Sequence, residues 1–265
     1  LMERDAAASE RLLTQKVDFF PRAFQARMRT LLALTGKRVV RPLRVSAAGA
    51  TTAAFQSATH TERAPLNGLG LFRVGQDGRL HLLLKSEHYH VPLGHRFPGY
   101  RLVELARAAG IPNATHNSTR GHLTRLLEEQ LVRAANGPEG GAIDRVLNLQ
   151  TGSVAVEAAL KMLLARFSRV APQARAPKYA GRTPVLLVLG DDQGDLTANY
   201  HGTGIPTQLL RGMWRELRLA LERSRILKIR AVTPHSVASL EDAFRRYHRR
   251  PSKIAGFLHE LVLMN

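Results

Sequence analysis

Cysteine is absent from the sequence. That excludes disulfides, thiolate metal ligands and a cysteine nucleophile. Lysine is scarce: of 39 basic residues, only Lys16, Lys37, Lys85, Lys161, Lys178, Lys228 and Lys253 are lysine. Acidic residues number 21, which leaves a net charge of +18. No apolar run approaches the ~20 residues that a membrane helix needs. No basic start followed by a short apolar stretch marks a secretory signal. The sequence also lacks a G-x-S-x-G nucleophile elbow, a Walker phosphate loop and a G-x-G-x-x-G turn after a strand. These absences lead to the expectation of a cytoplasmic protein with no membrane partner and no metal.

What remains suffices for a core: 265 residues, 44% of them hydrophobic and 23% charged. The positive balance invites a nucleic-acid reading, because Lys and Arg neutralise phosphates and release counterions. The arginines, however, are spread through every predicted helix. Their densest cluster, Arg245, Arg246, His248, Arg249 and Arg250, reads as the solvated end of one helix. Zinc-finger spacing, RNP motifs and a basic zipper are missing. Nucleic acid is therefore not the expected main partner, and a basic nucleic-acid-binding protein stands as an alternative.

Apolar residues at three- and four-residue steps predict helix over 1–34, with Pro21 starting a second helix or kinking the first. Residues 46–67 read as an irregular connection. Leu71–Val74 and Leu80–Leu84 flank Asp77-Gly78, a strong hairpin signal. Amphipathic helices are expected over 99–109 and 119–135, the second with Leu123, Leu126, Leu127 and Leu131 on one face. From about 145 the pattern alternates: strand 145–149, helix 153–167, strand 185–189, helix 205–223, strand 226–232, helix 236–248 and a strand from 254 to 264. Such alternation predicts an α/β fold with a mostly parallel sheet. The expected regions are an N-terminal helical segment (1–45), a smaller region with hairpin and helices (46–140) and the first part of a large domain (141–265).

Ligands in open α/β sheets sit at the carboxyl ends of the strands. Three segments fall there. In the first, Thr151-Gly152-Ser153 turns from a strand into the helix carrying Glu157-Ala158-Ala159-Leu160-Lys161. Backbone N–H groups at the positive end of a helix dipole bind phosphate, and Gly152 lets a ligand approach the backbone. Local spacing equally describes an ordinary N-cap, which is the commoner case. In the second, Asn199-Tyr200-His201-Gly202-Thr203-Gly204 offers an aromatic face for a flat ring beside a histidine and a permissive glycine. The same residues equally describe a surface loop whose tyrosine packs on a neighbour. Asp191, Asp192 and Asp195 precede it without the repeated spacing of a metal loop. In the third, Glu260 interrupts an apolar strand near its end; a carboxylate there needs a partner unless it faces solvent. Two less specific segments are Ser86–His95 and Ala114–Gly121, both polar and histidine-bearing.

In this order the segments resemble class III pyridoxal-phosphate-dependent aminotransferases of fold type I. The hairpin 69–84 with Gly94-His95-Arg96-Phe97-Pro98 is similar to the start of the family's small domain. Thr151-Gly152-Ser153 with its helix resembles the family's phosphate cup, and Tyr200-His201-Gly202-Thr203 its aromatic-His-Gly motif. The likeness spans about residues 68 to 265 and departs at Val154, Ala155 and Leu261, where the family commonly has Glu, an acidic residue and Pro. It implies pyridoxal 5'-phosphate as cofactor, with Thr151, Gly152 and Ser153 at its phosphate. Tyr200 would stack on its ring, with His201 and Gly202 supporting that loop, and Glu260 would be a catalytic carboxylate. It further implies a homodimer that moves an amino group between an amine or amino acid and a keto acid. The family's pyridine-pairing aspartate and Schiff-base lysine come after the glutamate strand, and none of the seven lysines fits that role. The expectation is the N-terminal half of such an enzyme, inactive alone. A non-catalytic binding protein that kept the fold is the other reading.

Overall fold

A computed structural model describes residues 3–57, 59–83, 93–111, 121–191, 193–197 and 201–260. Tyr200, Asp192, all of Ser86–His95 before Leu93, nearly all of Ala114–Gly121 and the final four residues of the expected last strand lie outside the described residues. The chain divides into two compact units, Leu1–Glu129 and Gln130–Asn265.

In the first unit, α1 is Glu3–Leu13 and α2 is Arg22–Leu32, and Pro21 is the N-cap of α2. Proline suits that place because its fixed φ and missing N–H cost nothing at a helix start. The expected irregular connection holds a short helix α3, Ala53–Ser57, and an unforeseen strand β1, Pro65–Leu69. β1 pairs antiparallel with β2, Phe72–Gly75, which pairs with β3, Leu80–Leu82. The Asp77-Gly78 turn closes this hairpin as expected, with Gly78 at φ +73°. Gly94-His95 joins the sheet beside it: the His95 and Gly70 backbones bridge in both directions, at 2.9 and 2.6 Å. The His95 ring lies where a side chain on Gly68 would stand. Phe97 is buried between Phe19, Phe20 and Tyr100 in edge-on contacts of 5.6 to 5.8 Å. α4, Arg101–Ala108, follows, and then α5, His122–Asn136. α5 has the expected leucine stripe, yet none of its described residues is buried.

The second unit is built around three parallel strands. α6, Gly152–Leu164, precedes β4, Thr183–Leu189. α7, Ile205–Leu210, and α8, Arg215–Arg223, lead to β5, Lys228–Val232. α9, Val237–Tyr247, leads to β6, Ser252–Leu258. The strand order is β5-β4-β6, so β4 is central. Its apolar run is legible as a strand buried on both faces. Leu186 and Val188 pack on Leu160 of α6 and on Leu209 and Leu210 of α7. Val185 and Leu187 face the other way, with Val232, Ala243 and Ile254.

Three expectations for this unit need correction. Residues 145–149 form no strand; Leu147 stays 58% exposed, and a strand exists only through a ladder partner. The helix expected over 205–223 is broken, because Gly212 (φ +83°) and Trp214 (φ +54°) turn the chain between α7 and α8. The last strand ends at Leu258, so Glu260 follows the strand rather than interrupting it.

Candidate functional site

Parallel register brings the candidate residues to one end of the sheet. Val188 of β4 is level with Leu258 of β6. Gly190 and Glu260 therefore leave the sheet at the same height, two residues further on. The loop after β4 is folded around Asp191. Its carboxylate accepts N–H bonds from Gln193 (3.0 Å) and Asp195 (2.7 Å) and a bond from the Thr197 hydroxyl. The Thr197 hydroxyl, with the backbone donors, holds the Asp191 carboxyl below the usual carboxylate range, and burial opposes them. Among the described residues no group of His, Asp or Glu could hold a metal ion.

The loop then reaches α6. Thr151 is extended (φ −144°, ψ 159°), and its hydroxyl caps the helix by accepting from Val154 N–H at 3.2 Å. This is the ordinary N-cap weighed for the turn. It satisfies the third N–H of the helix, and the N–H groups of Gly152 and Ser153 precede the first intrahelical bond. Gly202 is buried with φ +130°, and a Cβ there would stand 2.6 Å from Ser153 Oγ and 2.8 Å from Ser153 Cα. Gly204 presses equally on the Glu157 carboxylate, one turn further along α6. At Gly202 only glycine lets the two segments meet this closely, whereas the flexible Glu157 side chain can move away from a Cβ at Gly204. The start of α7 pins the loop: Thr207 Oγ1 donates to Gly204 O at 2.7 Å, and the Gln208 side-chain amide donates to Gly202 O. Glu157, Thr207 and Gln208 were not singled out as site residues. Their signal was present in helical spacing, since Glu157 follows Ser153 by four residues.

His201 and Glu260 complete the cluster. Burial pushes the His201 imidazole below its ordinary value; His259 adds to this and Glu260 opposes it. His201 Nε2 and Glu260 Oε2 are both shielded from solvent without a protein hydrogen-bond partner. Unsatisfied buried polar atoms of this kind are costly and call for an explanation. A polar ligand at the mouth of α6 supplies one. Thr151, Gly152, Ser153, His201, Gly202 and Glu260 thus all lie at the carboxyl end of the sheet, while Tyr200 is outside the described residues. No described lysine of the second unit stands there. Lys228 and Lys253 open β5 and β6 at the opposite end, Lys161 is in the last turn of α6, and Lys178 lies beside Tyr179.

This is an aminotransferase-type α/β fold: a parallel sheet covered by helices. Among solved structures the chain is similar to the PMP-bound form of an aminotransferase from Vibrio fluvialis, with 20% identity and a TM-score of 0.51 over 82% of this chain and 47% of that one. It is similar also to a transaminase from the marine bacterium Virgibacillus, with 18% identity and a TM-score of 0.52 over 89% of this chain and 48% of that one. The chain spans about half the length of both. No protein-family model and no curated protein matches the sequence. No helix among the described residues is long and apolar enough to cross a membrane.

Proposed function

We propose that this chain carries the phosphate- and ring-holding part of a class III pyridoxal-phosphate-dependent aminotransferase. The observation that carries this reading is the meeting of Gly202 with Ser153 beside two unpartnered polar atoms, His201 Nε2 and Glu260 Oε2. The residues fit the non-covalent part of the cofactor. Gly152 and Ser153 N–H, with the Ser153 hydroxyl, donate to the phosphate at the positive end of α6. His201 stays neutral at neutral pH because burial lowers its proton affinity, so it approaches the ligand without adding charge. Glu260 accepts a hydrogen bond at Oε2. The resemblance assigns the ring face to Tyr200, which lies outside the described residues. The bound group would supply an electron sink for amine chemistry.

The residues do not fit the covalent part, since no described lysine of the second unit reaches this end of the sheet, and no covalent step is assigned to them. In this reading the Schiff-base lysine lies outside the 265 residues. The partners are then an amine or amino-acid donor, a keto acid and a second copy of the chain in a cytoplasmic homodimer, and the three-region division of the chain belongs to the same reading. The second reading is a binding protein that kept the fold without the chemistry.

The test is pyridoxal phosphate added to the purified chain and to a longer polypeptide from the same reading frame, each followed by absorbance before and after borohydride. The proposal expects saturable binding by both and a reducible aldimine only in the longer one. Saturable binding with no reducible species in either favours the binding protein. Absence of saturable binding in both overturns the proposal.

A further inference from the structure

The opposite end of the parallel sheet holds a second cluster. The sequence has no acidic residue between Glu157 and Asp191, nor between Asp242 and Glu260. The fold brings these two acid-free stretches together: Thr183 N–H donates to Pro251 O at 2.9 Å, and Thr183 pairs with Ser252 at the start of β4 and β6. Tyr179 is at the centre. The Arg166 guanidinium lies 4.9 Å from its ring centroid, Lys253 Nζ 4.9 Å and Lys178 Nζ 5.6 Å. Arg166 also donates to the Tyr179 hydroxyl at 3.0 Å. Lys253 Nζ is 2.6 Å from His248 Nε2.

Cations seldom gather this closely without a carboxylate. Among the described residues, none of Arg166, Lys178, Arg182 and Lys253 forms an ion pair, although Arg230, Arg245 and Arg246 do. Tyr179 offers its ring face and one hydroxyl, which orders the cations but does not neutralise them. His248 registers the resulting field: burial, then Lys253 and Arg182, hold its imidazole below the ordinary value. It therefore accepts from Lys253 and fixes that ammonium in place. The strands rise about 3.3 Å per residue, so this cluster is about 20 Å from the loops around Gly202.

We infer that Arg166, Lys178, Arg182 and Lys253, gathered around Tyr179 and His248, bind a compact polyphosphate group. A guanidinium offers paired donors to phosphate oxygens and an ammonium a point charge. Several phosphates close together match several cations that share one ring. A single carboxylate or an orthophosphate would leave most of the charge unmatched. The group can belong to a free ligand or to a lipid headgroup, and the chemistry of recognition is the same.

The test is inorganic tripolyphosphate titrated into the 265-residue chain, read by calorimetry and by the NMR titration of the His248 ring. The inference expects binding at about one per chain and an upward shift of the His248 midpoint, because the anion offsets the charge of Lys253 and Arg182. Lys253→Gln and Arg166→Gln, with melting temperatures unchanged, should each weaken binding by about tenfold. Arg11→Gln, which removes the same charge from the first unit, should leave it intact. Vesicles with and without a phosphoinositide form the second arm: the same His248 shift only with the phosphoinositide assigns a lipid headgroup, and no shift with either assigns a free ligand. A His248 midpoint unmoved by saturating tripolyphosphate overturns the inference, as does equal weakening by Arg11→Gln.

Discussion

Replacing Gly202 with alanine puts a methyl group into Ser153. The new Cβ would lie 2.6 Å from Ser153 Oγ and 2.8 Å from both Ser153 Cα and Cβ. The Oγ can rotate away, but the backbone Cα cannot. Overpacking of this kind costs about 1–3 kcal/mol. The φ of +130° adds backbone strain of about 1–3 kcal/mol for any residue with a Cβ. Gly181 separates the two effects: its φ is +72°, yet nothing lies within 4 Å of a Cβ built there. Gly181→Ala should therefore bear the strain alone. Urea unfolding of both variants should show Gly202→Ala the less stable by about 1–3 kcal/mol. Ser153→Gly should recover only part of that difference, because the Ser153 Cα remains. Pyridoxal phosphate binding should weaken in Gly202→Ala and stay unchanged in Gly181→Ala. Equal unfolding midpoints and equal cofactor affinity for the two alanine variants would refute the contact between the loop and α6.

Other parts of the structure make further predictions. Leu186 is fully buried between β4 and the helices of one face, so Leu186→Ala should cost about 2–5 kcal/mol in urea unfolding. The Arg230 hydrogen bonds hold the Glu222 carboxyl below its ordinary 4.5, and burial opposes them. The stability Glu222 contributes is thus fully present above pH 4.5 and is lost as pH falls through its lower folded value. Glu222→Gln should cost about 1–3 kcal/mol at neutral pH and flatten the acid limb of the stability profile. His201 acts in the same direction at higher pH, because it too binds its proton more weakly folded than unfolded. Its effect on stability is absent above its ordinary value of 6.5, and stability declines as pH drops below that value until the folded imidazole is also protonated. His201→Gln should remove this decline, as followed by thermal melting across the range.

Much of the second unit was legible because its signals are local. Pro184 to Leu189 is a continuous apolar run closed by Gly190, which specifies a strand with both faces covered. Ser236 before Val237 marks a helix start, and its hydroxyl accepts from Ser239 N–H at 3.1 Å. In the first unit, Asp77-Gly78 and Pro21 each fixed a turn or a boundary by backbone chemistry alone. The readings that failed depended on distant partners. Arg145 to Leu149 has the alternation of a strand but finds no neighbour to pair with. Ile205 to Arg223 has helical periodicity throughout, and positive φ at Gly212 and Trp214 breaks it. β1 was hidden because Pro65-Leu66-Asn67-Gly68 has little strand propensity; it forms by pairing with the hairpin. At the site, residue types and order placed Thr151, Ser153, His201 and Glu260 at one end of the sheet. They could not show that Gly202 and Gly204 press on Ser153 and Glu157, since that contact joins segments about 50 residues apart.

The account rests on pyridoxal phosphate being held where the loop after β4 meets the start of α6. Its most direct test is the amide NMR spectrum of the labelled chain during addition of pyridoxal phosphate. The account predicts saturable shifts that are largest at Gly152, Ser153, His201 and Gly202, with the residues at the start of β4 and β6 unmoved. Shifts that never saturate, or that concentrate away from α6 and the loop, would contradict it.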